Sequence, residues 1–104
     1  MKYPLPDLKQ GHRYRVSVFV KAENVVPYKT RGGVQCTPWT DESMNLGHSF
    51  PSAGATGTFD WVHFEKEYYV PKSGIVNFKP EVDLRLFLAT GTVHFDGLLV
   101  EEVK

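Results

Sequence analysis

Two segments of this chain set a guanidinium and an aromatic ring on the face opposite a run of apolar residues. Tyr14 to Lys21 reads Tyr-Arg-Val-Ser-Val-Phe-Val-Lys, which puts Arg15 and Phe19 across from Tyr14, Val16, Val18 and Val20. Val82 to Ala89 repeats the scheme, with Arg85 and Phe87 opposite Val82, Leu84, Leu86 and Leu88. A sugar presents apolar C–H faces and hydroxyl edges. Flat rings suit the first, and planar amide or guanidinium groups suit the second. The residues placed first for such contacts are Arg85, Phe87 and His94, followed by Trp39, Phe19, Arg15 and Gln35. Each also has an ordinary alternative. The phenylalanines would lie under a covering loop, the arginines would pair with Asp83 or Glu67, and His94 would be a plain strand histidine. Their shared face is what joins them into one expectation.

Strands must position these side chains. The alternation predicts strands over 14–21, 61–70 and 82–88, with a shorter one from Val34 that ends near Pro38, since proline cannot donate within a ladder. Thr40 to Thr58 keeps no period for long and reads as a loop, broken at most by a brief strand at His48–Phe50. Thr90-Gly91 predicts a tight turn that makes the segment from Val93 to Val100 a hairpin partner of the strand before it, bringing His94 beside Arg85 and Phe87. The period slips at Asp96-Gly97, as a β-bulge would make it do. Trp61 is expected to pack across the core edge and Cys36 to fill space as a small apolar residue. With no helix longer than a turn, the fold class predicted is an all-β antiparallel sandwich, a single domain over residues 1–104.

Four fragments carry a wider likeness: Gly-His-Arg-Tyr-Arg-Val-Ser-Val-Phe-Val-Lys-Ala-Glu-Asn from Gly11, Gly-Thr-Phe-Asp-Trp ending at Trp61 with Tyr-Val-Pro starting eight residues later, Leu-Arg-Leu-Phe-Leu from Leu84, and Gly-Thr-Val-His-Phe-Asp-Gly-Leu-Leu-Val-Glu from Gly91. In this order and spacing the chain resembles the jelly-roll carbohydrate-binding modules appended to bacterial xylanases and glucanases. The resemblance implies a non-catalytic module that binds plant or microbial polysaccharide on a concave sheet or its rim loops, within a longer secreted polypeptide. It also implies a structural calcium that would draw on Asp96, although Gly97 stands where such modules commonly carry a second aspartate. These modules carry further strands before the equivalent of Tyr14. Here thirteen residues precede it, so the expectation is a sandwich lacking its first strands, or one whose missing edge comes from another copy in a homodimer.

Composition narrows the alternatives. Twelve Lys and Arg balance twelve Asp and Glu and are scattered along the chain, so there is no cationic stripe for nucleic acid. No apolar run approaches the roughly 20 residues of a membrane span. Glu65 and Glu67 share a strand face, yet no acidic pair lies in a recognisable glycosidase motif, and the expectation is no enzymatic activity and no required cofactor. Cys36 and the four histidines show no converging zinc spacing. The rival function is a structural or adhesion sandwich that mediates protein contact in an extracellular or viral assembly.

Overall fold

A computed structural model describes residues 2–28, 32–40, 49–73, 75 and 78–103. The fold is all-β: β1 (Lys2–Pro4), β2 (Arg13–Pro27), β3 (Gly33–Trp39), β4 (Phe50–Ala55), β5 (Gly57–Tyr69), β6 (Glu81–Phe87) and β7 (Ala89–Val103). Two antiparallel sheets form, one of four strands in the order β1-β6-β3-β4 and one of three in the order β5-β2-β7.

The apolar side of each strand faces the other sheet. Val16, Val18, Val20, Ala22 and Val25 of β2 meet Val34 and Cys36 of β3, Phe50 of β4, Tyr68 of β5 and Val82 and Leu84 of β6 in one buried cluster. A smaller cluster of Leu8, Tyr14 and Val70 closes one end of the sandwich. Across the layers β4 packs on β5, β3 on β2 and β6 on β7.

β2 is the spine, and its length depends on a slip. Ala22 and Val25 both face inward although three positions apart, because the register against both neighbours shifts between them. Asn24 absorbs the extra residue with φ of 53°, a conformation asparagine tolerates better than most side chains. The slip expected at Asp96-Gly97 is present as well. Ser17 lies opposite Leu99 and Phe19 opposite Asp96, so β7 spends three steps where β2 spends two. Gly97 takes φ of 62°, and a Cβ there would stand 3.2 Å from the Phe19 ring.

Three expectations are corrected. β6 and β7 do not form a hairpin. Leu88, at φ of 46°, turns the chain between Phe87 and Ala89, so it leaves the four-stranded sheet and enters the three-stranded one, where β7 pairs with β2. Thr90 stands opposite Val26 within that ladder instead of forming the turn. Second, the segment read as loop contains β4 over Phe50–Ala55; of the brief strand expected nearby, Phe50 opens β4, while His48 and residues 41–47 lie outside the described residues. Third, Trp61 is 47 % exposed on the outer side of the three-stranded sheet.

Pro38 sits within β3, opposite Val82. Among the described residues β4 pairs with β3 at Val34 and Cys36 and none stands opposite Pro38 on that side, and a position with a neighbour on one side alone is where a sheet accepts proline.

Candidate functional site

The seven residues proposed for sugar contact divide between the two outer faces of the sandwich. Arg85 and Phe87 of β6 and Gln35 and Trp39 of β3 share the outer face of the four-stranded sheet, with Gln35 opposite Arg85, Trp39 opposite Glu81 and Phe87 opposite Gly33. Arg15 and Phe19 of β2 lie on the outer face of the three-stranded sheet, and His94 stands opposite Lys21 there. The single expected trough therefore does not form. The cause is the crossing at Leu88, which puts His94 on the side of the molecule away from Arg85 and Phe87.

On the four-stranded sheet the outer face runs for about 20 Å from Gly33 to Trp39, six steps of ~3.3 Å each. At one end the Arg85 guanidinium lies over the Phe87 ring at 4.5 Å, and its Nη2 donates to Gln35 Oε1 at 3.5 Å. A stacked cation and ring make a flat surface with hydrogen-bonding edges. At the other end the Lys2 ammonium is 5.6 Å from the centre of the Trp39 ring and 3.7 Å from Glu81 Oε1. Between the ends lie Thr37 and Asp83, opposite each other. The Thr37 and Ser49 hydroxyls share a hydrogen bond of 2.7 Å.

This middle is closed. Thr37 is 0 % exposed and Gln35 5 %, whereas Trp39, Arg85 and Phe87 remain partly exposed. Two donors on the face, Trp39 Nε1 and Arg85 Nε, are shielded from solvent without a hydrogen-bond partner among the described residues. Leaving a buried donor unmade costs on the order of 1–3 kcal/mol, so both are poised for an acceptor. Sequence reasoning passed over Thr37 and Ser49, and weighed Asp83 only as a partner for the arginines. Counting the alternation on from Gln35 would have found Thr37, but nothing in the sequence brings Ser49 to it.

The opposite face is more open. Phe19 is 45 % exposed, Leu99 49 % and Trp61 47 %. The Phe19 and His63 rings lie 4.6 Å apart, tilted by 37°. Arg15 reaches Glu67 at 3.6 Å, the ordinary pairing weighed for it, and at this exposure the pair adds little stability. Glu65 lies on the same face, opposite Ser17.

Asp96, the candidate calcium ligand, accepts a hydrogen bond from the Gly97 amide at 2.9 Å and so caps its own bulge. No three metal-ligating side chains converge among the described residues, and one carboxylate is far from the six to eight oxygens that calcium takes. Cys36 fills core space as expected, 2 % exposed between Leu84 and Phe50. Burial, and then the neighbouring Asp83 carboxylate, push its thiol up to about 12. No protein-family model and no curated protein matches the chain.

Proposed function

We propose that the outer face of the four-stranded sheet binds carbohydrate, as a non-catalytic module of a longer secreted polypeptide. The observation that carries the reading is the pair of donors, Trp39 Nε1 and Arg85 Nε, that have no partner among the described residues, set beside two ring surfaces and the Gln35 amide. Hydroxyl oxygens supply the acceptors those donors lack, and C–H faces stack on the rings. A neutral ligand fits better than an anion, because Glu81 and Asp83 alternate with Arg85 along β6. With the middle of the face closed, a glycan chain engages its two ends, or the full length once the middle opens.

Affinity electrophoresis in gels containing xylan, β-glucan or mannan tests this. The wild type is expected to be retarded by at least one of them. Trp39→Ala and Phe87→Ala should each weaken retention about tenfold, equivalent to ~1.4 kcal/mol. Phe19→Ala should leave it unchanged. No retardation with any of the three, or a loss confined to Phe19→Ala, contradicts the assignment.

A second reading rests on the opposite face. Phe19, Trp61 and Leu99 are each nearly half exposed on the three-stranded sheet, a combination suited to a protein contact. In that case Phe19→Ala and Leu99→Ser would abolish association with the partner and leave behaviour in glycan gels untouched.

A further inference from the structure

The two sheets are unequal, and the inequality falls at one edge. β4 has β5 beneath it, β3 has β2 and β6 has β7, while β1, the fourth strand of the larger sheet, lies beyond the last strand of the smaller. Among the described residues none fills the position beside β7 and under β1. A cleft of about 290 Å³ occupies it, lined among others by Tyr3, Leu5 and Leu8 from the β1 side and by Tyr14, Leu98 and Val100 from the other sheet. Leu98 and Val100 point toward the core yet stay only half-buried. Leu8 plugs one end of the gap against Tyr14 and Val70 and leaves the rest unfilled.

We infer that this slot takes one extended segment of a partner polypeptide, which joins β7 as a fourth strand of the smaller sheet and turns alternate apolar side chains into the cleft. Two requirements of strand addition meet there: an edge that is unpaired among the described residues and offers every second amide and carbonyl, and a hollow on the core side for side chains two residues apart. The other outer edge of the same sheet presents a charge. β5 instead turns Lys66 inward, opposite Val16 with its ammonium 5.7 Å from the Tyr68 ring, a device that discourages pairing.

Charge selects an orientation. The cleft continues past Leu8 into a second hollow lined by Asp7, Lys9 and Glu102, two carboxylates against one ammonium, with His12 paired to Glu102. Glu102 lies near the C-terminal end of β7, so a strand running antiparallel, as every pair in this sheet does, begins there. The partner segment therefore carries a lysine or arginine first and apolar residues at alternate positions after it. A second copy does not fit this slot by edge pairing. Its own β6, which covers its β7, would arrive where β1 already stands.

The test uses the full chain and the probe peptide Lys-Thr-Val-Ser-Val-Thr-Leu-Ser-Thr, with a Glu-first version and a backbone N-methylated version as controls. Saturable binding in fluorescence anisotropy is expected for the Lys-first peptide, weaker binding for the Glu-first one and none after N-methylation. Hydrogen exchange should slow at alternate amides of 98–102 and stay unchanged in β5. Asp7→Lys, an exposed position whose change leaves the fold intact, should reverse the preference between the two peptides. Absence of saturable binding, protection of β5 or β4 in place of β7, survival of binding after N-methylation, or dimerisation of the chain with protection of the same β7 amides would each overturn the inference.

Discussion

At the scale of single residues, the two tryptophans show how far side-chain chemistry depends on which sheet a strand joins. Both stand beside polar segments in the sequence, yet Trp39 has its indole nitrogen buried with no partner among the described residues while Trp61 is 47 % exposed on the other face. Cys36 gives a sharper expectation. Its thiol is held at about 12 against an ordinary value of 9.0, so the folded state keeps its proton where the unfolded chain loses it. Stability from this group is complete below pH 9 and declines as pH rises through the window up to about 12. Tyr68 acts in the same direction, raised by burial and then by Cys36. Urea midpoints measured across alkaline pH should therefore fall, and Cys36→Ala should fall less steeply over the same range. A thiol reagent at neutral pH should label the native protein far more slowly than the unfolded chain. Equal labelling rates would remove Cys36 from the core.

At the scale of elements, the strands most legible in the sequence were those with one clean apolar side. β2, β5 and β6 could be read because valines, leucines and aromatic residues recur at every second position. The bulge at Gly97 was legible too, since the period visibly slips there. β4, reading Phe-Pro-Ser-Ala-Gly-Ala, could not be found this way, because little beyond Phe50 and its pairing with β3 marks it. The hairpin error has a single-residue cause. Thr90-Gly91 looks like a turn, but the direction of the chain is decided at Leu88, whose left-handed backbone no propensity for leucine announces. Backbone geometry at the two slips also sets stability. Asn24→Val is expected to cost about 1–2 kcal/mol and Asn24→Gly close to nothing, since only the β-branched residue is strained at positive φ. Gly97→Ala should cost on the order of 1 kcal/mol, from the same strain and from crowding against Phe19. Chemical denaturation of the three variants checks the order, and a neutral Asn24→Val would show that the slip is not needed.

At the scale of the whole molecule, the sandwich itself followed from alternation and turn chemistry, but the division of candidate residues between its faces did not. Alternation places a side chain on one side of its strand; it does not say which sheet the strand enters, and that choice separated His94, Phe19 and Arg15 from Arg85, Phe87, Gln35 and Trp39. The same choice gives the molecule two surfaces of different character. One is polar and closed at its middle, with two donors, Trp39 Nε1 and Arg85 Nε, that have no partner among the described residues; the other is open and carries exposed apolar side chains. The two tryptophans report on one face each. Indole N–H resonances in a ¹⁵N correlation spectrum, followed while xylo-, gluco- and manno-oligosaccharides are added in turn, should show Trp39 shifting with at least one series while Trp61 stays still. Movement of Trp61 alone, or of neither with all three, would contradict carbohydrate binding at the four-stranded face.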